Sequence, residues 1–241
     1  MPLQSPEAVL DEVLTALHLV VSFVQQKKLL QYTDLLLEGL QKQRLTGERT
    51  AEGVIRKQIY DSLYPLKILA FPRGCKILDL GSGGGFPGIP IKICLPEIFM
   101  DLLDANQRKI NFLKTTAALL GLDKIEFLCG RAEKLAHSID HRESYDFVLS
   151  KAVAKTAVLT ELAMPMLKVG GQAVFYKGPR GAQEAEQAGK AIALCGGNIE
   201  KVWFYNLPTG EKRSLYLFKK TKHTPPQYPR ADGIPARKPL Q

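Results

Sequence analysis

The sequence predicts an α/β protein built on a mostly parallel, seven-stranded sheet, preceded by a helical amino-terminal region. After Gly74, short apolar strands alternate with helical stretches, which is typical of parallel strands joined by crossover helices. No helix separates the last two strands, which are joined by the turn at residues 206–210, so we expect an antiparallel hairpin at one edge. A glycine-rich segment at residues 81–88 lies between the first strand and the first crossover helix, where open α/β sheets bind ligands.

The composition fits a globular protein with a full core, since 45% of the 241 residues are hydrophobic and 24% are charged. Apolar runs such as residues 17–24 are too short to cross a bilayer, and the first residues lack the basic region of a secretory signal. The four cysteines are too far apart for Cys-x-x-Cys metal or redox pairs, so no metal site is expected. Widely spaced cysteines also favour a reducing compartment, and we predict a cytoplasmic protein.

The charge is unevenly distributed along the chain. The formal net charge is +9, from 33 basic and 24 acidic residues. Residues 219–241 hold six basic residues and one acidic residue, which is +5 of that excess. A basic protein suits a polyanionic partner, although charge by itself identifies none. From Thr221 onward, five prolines and no apolar period predict an extended tail.

These patterns divide the chain into a helical region at residues 1–73, a sheet domain at 74–220 and a basic, proline-rich tail at 221–241. In the helical region, an apolar stripe from Leu10 through Val24 predicts one helix, and residues 29–45 and 50–69 predict two more, with Pro65 a possible kink. The predicted strands are residues 76–80, 99–103, 125–129, 147–149, 172–176, 199–205 and 214–218. The predicted crossover helices are residues 88–95, 107–120, 131–136, 157–167 and 182–195.

The glycine-rich segment admits two ligands. Gly83, Gly85 and Gly88 match the dinucleotide pattern G-x-G-x-x-G, a weak signal by itself. Asp79, two residues before Gly81, would repel a pyrophosphate but could receive a cationic amino-acid group directly or through water. The pattern Asp-x-Gly-x-Gly-x-Gly resembles the binding loop for S-adenosylmethionine, and this favours that cofactor over NAD.

Two further segments support a nucleoside ligand. Asp104 ends the second strand, where an acidic side chain can accept the ribose hydroxyls, or can instead cap the helix that starts near Asn106. Residues 130–133 follow the third strand, where an adenine ring would lie, or can simply begin a helix. Both segments also fit NAD in part, so the glycine loop decides between the cofactors.

The chain is identified as resembling a known family on several motifs. These are LDLGSGGGFPGIPIKICLP, LLDANQRKINFL, CGRAEKL, FVLSKAVA and the tail TPPQYPRADGIPARKPL. They resemble the bacterial small-subunit (16S) rRNA guanine-N7 methyltransferases, the RsmG family, also called glucose-inhibited division protein B. The resemblance implies a class I (Rossmann-like) methyltransferase fold, S-adenosyl-L-methionine as cofactor, and formation of 7-methylguanosine in 16S rRNA of the 30S subunit.

The resemblance also implies site residues. The family's cofactor contacts fall on Gly81, Phe86, Ala132 and Glu133, and a further arginine position is Lys151 here. Basic family positions fall on Arg131 and Arg213, which with Lys151 are candidates for positioning the substrate.

The amino-terminal region departs from the family pattern. The segment Trp-Asn-Lys-x-x-Asn-Leu-Thr is reduced to Leu-Thr at residues 45–46, and Gln58 replaces a histidine. We therefore keep open a methyltransferase of the same fold with another RNA, protein or small-molecule acceptor, and a non-catalytic RNA-binding module.

The chemistry sets its own expectations. Guanine N7 has a lone pair and no proton to lose, so no general base is needed and alignment is the main task of the protein. Lys155, Lys177 and Arg180 are further candidates for phosphate contacts, together with the tail, and Lys177 and Arg180 are expected nearer the substrate than the tail is.

Trp203 is expected in the core, and the chain is expected to be a monomer.

Overall fold

A computed structural model describes residues 4–240, and it confirms the predicted sheet. The seven strands lie in the spatial order β3-β2-β1-β4-β5-β7-β6. All neighbouring pairs are parallel except those of β7, which is antiparallel to both β5 and β6. The strands are β1 (Lys76–Leu80), β2 (Phe99–Asp104), β3 (Ile125–Cys129), β4 (Tyr145–Lys151), β5 (Leu167–Lys177), β6 (Gly197–Asn206) and β7 (Lys212–Lys220).

Helices precede the sheet and connect its strands. The amino-terminal helices are α1 (Pro6–Leu17), α2 (Phe23–Gly39), α3 (Ala51–Gly53) and α4 (Tyr60–Ile68), with a π-helical stretch (Val54–Ile59) between the last two. The others are α5 (Gly88–Cys94), α6 (Gln107–Leu119), α7 (Ala132–Leu135), α8 (Thr156–Ala163), α9 (Gly181–Glu186), α10 (Gly189–Leu194) and α11 (Ile234–Arg237), with a 3₁₀ turn (Met164–Met166) before β5. No helix in residues 4–240 has both the length and the apolar character needed to cross a membrane.

The first apolar stripe does not form one helix, so that prediction was wrong. His18 has a left-handed backbone (φ 55°) and ends α1, and Ser22 begins α2. The Ser22 side chain accepts the backbone N–H of Gln25, whose side chain accepts the N–H of Ser22. This reciprocal capping box starts a new helix with a new orientation. Val24 is therefore exposed instead of extending the buried stripe.

Other boundaries differ from the expectations in smaller ways. The second helix ends at Gly39, several residues earlier than predicted, and the stretch predicted as one helix at residues 182–195 is divided into α9 and α10. Pro65 lies inside α4, and the irregular part of the third predicted helix is the π-helical stretch that precedes α4.

The helical region shares its core with one face of the sheet. Leu29 and Ile59 belong to the same buried cluster as Ile77 and Leu215, whereas Leu78 belongs to a second cluster on the other face, with α8 and α10. Neighbouring residues of β1 thus pack into the two cores on opposite faces of the sheet, because side chains alternate along a strand. Trp203 of β6, expected in the core, is only half-buried at its margin.

Residues 221–240, which we call the carboxyl-terminal strap, pack against the body of the protein, so the prediction of an extended tail was wrong. The Arg142 guanidinium donates to the backbone oxygens of Thr224, Pro225 and Tyr228. Arg230 is paired with the buried Glu161 of α8. The packing of the strap could not be predicted, because these contacts are made by backbone carbonyls and single charged side chains and produce no apolar periodicity in the sequence.

Candidate cofactor and substrate site

A cavity of about 450 Å³ opens at the carboxyl ends of the central strands. This volume is typical of small-ligand sites, and the location is where open α/β sheets bind ligands. Its walls come from the ends of β1 and β2, the segments after β2, β3 and β4, the helices α6 and α8, and the strap. The lining residues are Leu80, Gly81, Leu103, Asp104, Ala105, Lys109, Gly130, Arg131, Ala132, Glu133, Ala152, Val153, Ala154, Val158, Leu162 and Ala236.

Gly81 forms the floor of the cavity where β1 ends. Its backbone has φ +78°, a conformation that side chains rarely tolerate, and its N–H donates to the carbonyl oxygen of Leu103 at 2.8 Å. A Cβ added at Gly81 would lie 2.5 Å from a methyl group of Val153. Glycine is therefore required both for the turn and for the space beside it.

Asp104 stands at the end of β2, is half-buried and lines the cavity. Its Oδ2 accepts the backbone N–H of Gly83 at 3.0 Å, and its Oδ1 accepts the N–H of Asn106 at 2.8 Å. Asn106 itself caps α6, because its side chain accepts two N–H groups of the first turn. Asp104 is thus not the helix cap that the sequence left possible. Gly83 takes no part in the lining, and its amide holds this carboxylate in place.

Glu133 and Arg131 border the cavity after β3. Glu133 is buried, and its Oε1 accepts from the Arg131 guanidinium at 3.0 Å and from the backbone N–H of Gly233 at 2.9 Å. Ala132 lies between them and also lines the cavity. All three residues line the cavity, and nothing in the sequence indicated the contact with Gly233.

Asp79 is buried against the glycine loop and does not line the cavity. Its Oδ2 accepts the N–H of Gly88 at 2.9 Å, and its Oδ1 has no hydrogen-bond partner within residues 4–240. Burial raises the pKa of Asp79 to about 7, against the opposing effect of the Gly88 amide. The sequence left open whether Asp79 contacts a cationic ligand directly or through water. Direct contact does not match this placement, because Asp79 does not line the cavity. The unpartnered oxygen nevertheless suits a neighbouring cation.

The raised pKa of Asp79 predicts a pH-dependent contribution to stability. Between pH 4 and 7 the folded protein keeps a proton that the unfolded chain, with its pKa near 3.8, has released. The contribution of this group therefore falls as pH rises through that window. Between about pH 5.5 and about pH 6.5, wild type should lose about 1 kcal/mol of unfolding free energy relative to Asp79→Asn. Urea unfolding at both pH values measures this, with the exposed Asp140→Asn as control; parallel profiles for wild type and Asp79→Asn would contradict it.

Lys151 ends β4 inside a buried polar cluster, and it does not line the cavity. Its Nζ lies 3.0 Å from Oδ2 of Asp61 and donates to Oε1 of Gln58 at 2.9 Å. Oδ1 of Asp61 also accepts the hydroxyl of Tyr205 at 2.6 Å. Burial lowers the pKa of Lys151, and the carboxylate of Asp61 opposes that shift. The cluster joins the helical region to β4 and β6.

Phe86 belongs to this cluster as well. The Lys151 Nζ lies 5.3 Å from the centre of the Phe86 ring, and Tyr32 packs against that ring edge-on at 5.4 Å. Phe86 is buried and does not line the cavity. Gln58 and Lys151 both depart from the pattern of the resembled family, and the two side chains are hydrogen-bonded to each other. Asp61 could have been suspected from the retained Asp-Ser pair, whereas nothing in the sequence indicated Tyr205.

The basic residues that were predicted to contact phosphates differ in burial. Lys177 is buried, and its Nζ donates to the carbonyl oxygen of Ala154 and to Glu184, so its expected phosphate contact does not match the structure. Lys155 and Arg180 are exposed, and Arg213 is half-buried at the start of β7. Outside the strap, these three are the residues predicted to contact phosphates that remain at least partly accessible to solvent.

The strand order, the carboxyl-terminal hairpin and the cavity define the fold of the class I S-adenosylmethionine-dependent methyltransferases. A solved structure with this likeness is M. jannaschii TYW2 in complex with AdoMet, with a TM-score of 0.54 and 12% identity over 72% of this chain and 79% of that one. At this identity the likeness shows the fold alone.

Sequence relatives define the family. Residues 25–215 match the family model described as rRNA small subunit methyltransferase G. The ribosomal RNA small subunit methyltransferase G of Moorella thermoacetica is 41% identical over 87% of this chain and 88% of that protein. The one of Alkaliphilus oremlandii is 38% identical over 97% of this chain and 98% of that protein. The chain belongs to this family, and the predicted resemblance is confirmed.

Proposed function

We propose that the chain is an S-adenosylmethionine-dependent methyltransferase that forms 7-methylguanosine in 16S rRNA of the small ribosomal subunit. The observation that carries the proposal is the cavity at the strand ends, with a glycine floor and two fixed carboxylates, in a chain of the rRNA small subunit methyltransferase G family.

The residues of the cavity fit an adenosine bearing a cationic amino acid. Asp104 is held by two backbone N–H groups and would accept the ribose hydroxyls. Ala132 and Glu133 would hold the nucleobase end, with Arg131 orienting Glu133, and Gly81 allows close approach to the backbone. Asp79 lies behind the loop with one unpartnered oxygen, and because burial raises its pKa to about 7 it is only partly ionised at neutral pH. When bound, the cofactor supplies an electrophilic methyl group on a sulfonium.

For the acceptor, the chain has to bind and orient a base rather than remove a proton. Guanine N7 is an in-plane lone pair, so a positioned base and an aligned methyl group suffice. In A-form RNA the major groove is too deep and narrow for side chains to reach N7, so the target nucleotide should be unpaired or extruded. Lys155 and Arg180, which are exposed, and the half-buried Arg213 would contact its phosphates.

The Lys151 cluster supports this function indirectly. The clustered residues join the helical region to the end of β4, next to residues 152–154 of the cavity wall. Lys151, Phe86 and Gln58 would therefore position the wall instead of touching the nucleoside. Because Gln58 and residues 39–46 depart from the family pattern, an acceptor other than 16S rRNA is the second candidate.

Transfer of labelled methyl groups tests the proposal. The purified protein, expected to act as a cytoplasmic monomer, should label 16S rRNA in undermodified 30S subunits, with the label recovered as 7-methylguanosine. Naked 16S rRNA, assayed in parallel, shows whether assembly is required. Label in protein or small molecules with none in RNA would favour the second candidate. Failure of the protein to bind S-adenosylhomocysteine in calorimetry would favour a non-catalytic RNA-binding module.

A further inference from the structure

The carboxyl-terminal strap contributes to the cavity. Ala236 of α11 is one of the lining residues, and Gly233, at the start of α11, donates its N–H to Oε1 of Glu133 at 2.9 Å. We propose that the strap is part of the cofactor site, where it closes the cavity beside Glu133 and holds that carboxylate in its binding orientation. The inference rests on the proposed cofactor site and adds a wall that lies outside the sheet domain.

The strap is anchored to the body by an ion pair between the partly exposed Arg230 and a buried carboxylate. The Arg230 Nε and backbone N–H both donate to Oε1 of Glu161, at 2.8 and 2.9 Å, and a terminal nitrogen donates to Oε2 at 2.7 Å. Glu161 is fully buried in α8. A two-pronged guanidinium–carboxylate contact fixes direction as well as distance. Arg230 therefore sets where the chain starts its last turn toward the cavity.

A second anchor fixes the strap upstream of Arg230. The Arg142 guanidinium donates to three strap carbonyls, those of Thr224, Pro225 and Tyr228. Nε2 of His137 lies 2.7 Å from the carbonyl oxygen of Pro229. Two independent groups of contacts thus define the path of the strap before it reaches Glu133. Gly233 and Ala236 are placed by these anchors and not by chance collapse of a terminus.

The contact at Glu133 explains what the strap does for binding. Oε1 receives two donors, from Arg131 and Gly233, whereas Oε2 forms no hydrogen bond within residues 4–240. One oxygen is thereby fixed by the protein, and the other is left for a donor on a ligand. The left-handed backbone of Gly233, with φ +75°, suits glycine at the position that supplies the amide.

Charge offers a competing role for the strap. Arg237 and Lys238 are exposed, and a basic segment could instead hold RNA phosphates. The observations favour the cofactor, because the strap residue that lines the cavity is an uncharged alanine, and because the amide of Gly233 donates to the carboxylate of Glu133. The two roles affect different substrates, and kinetics can separate them.

A truncation after Arg230 provides the first test. Removal of residues 231–241 keeps the Arg230–Glu161 pair and deletes Gly233 and Ala236. We expect the Kd for S-adenosylhomocysteine, measured by calorimetry, to rise about 10-fold. The KM for S-adenosylmethionine should rise in step, with the KM for 30S subunits unchanged. An unchanged Kd, or a KM effect confined to the subunits, would overturn the inference, the latter in favour of an RNA contact.

Point variants of the full chain test the same idea if the truncated chain folds poorly. Ala236→Trp places an indole in the cavity and should also weaken S-adenosylhomocysteine binding about 10-fold. Ala231→Trp adds the same side chain to an exposed strap position that does not line the cavity, and it should bind as wild type does. Equal binding by both variants would rule out the strap as a wall. Absence of binding by wild type would instead remove the proposed cofactor site.

Discussion

Replacing Lys151 with methionine should lower the free energy of unfolding by about 3–5 kcal/mol, the usual cost of breaking a buried ion pair from one side. Asp61 and Lys151 are both almost fully buried, and their charged atoms are 3.0 Å apart. Methionine keeps most of the side-chain volume, so the loss reflects the carboxylate of Asp61 left without its cation. Tyr205, which donates to the same carboxylate, cannot replace that charge. Urea unfolding monitored by circular dichroism measures the change.

Two comparisons make this result specific to the cluster. Lys168→Met removes an exposed lysine that is paired with the half-buried Asp146 at 2.7 Å, so its cost should be below about 1 kcal/mol. Adding Asp61→Asn to Lys151→Met neutralises the stranded carboxylate and should recover part of the loss. A loss for Lys151→Met no larger than that for Lys168→Met would show that the cluster does not hold the helical region to the sheet.

Asp104→Ala should weaken S-adenosylhomocysteine binding about 100-fold, equivalent to about 2.7 kcal/mol. The alanine removes the acceptor proposed for the ribose hydroxyls, and it also leaves the amides of Gly83 and Asn106 without their partner. The glycine loop then loses the contact that ties it to the end of β2. Calorimetric titration at constant pH gives the Kd directly.

Asp104→Asn is the matched variant for this site. The amide retains an oxygen acceptor of the same size but lacks the charge, so its affinity should lie between those of wild type and Asp104→Ala. Asp140→Ala, at an exposed position away from the cavity lining, should bind as wild type does. If Asp104→Ala also retained wild-type affinity, the ribose end of the proposed cofactor site would have to lie elsewhere.

The sheet and the floor of the cavity could be predicted because their signals are local. β1 and β3 begin and end at the predicted residues, since each is a short apolar run bounded by polar or turn-forming residues. Gly81, Asp104 and Glu133 could be grouped because they follow successive parallel strands, whose carboxyl ends meet at one edge. The helical periodicity did not predict the break between α1 and α2. His18 ends α1 and the capping box at Ser22 starts α2, although the apolar pattern continues across both.

The sequence by itself determined the family, the mostly parallel sheet with its carboxyl-terminal hairpin, and the glycine loop at the end of the first strand. Only the tertiary structure decided that Lys151 and Phe86 lie in a buried cluster with Gln58 and Asp61, and that the strap returns to Glu133. The hydrogen bonds from Lys151 to Gln58 and from Gly233 to Glu133 each join residues about a hundred positions apart. Such pairings depend on how packed elements orient individual side chains, and they leave no period, spacing or composition that a sequence could display.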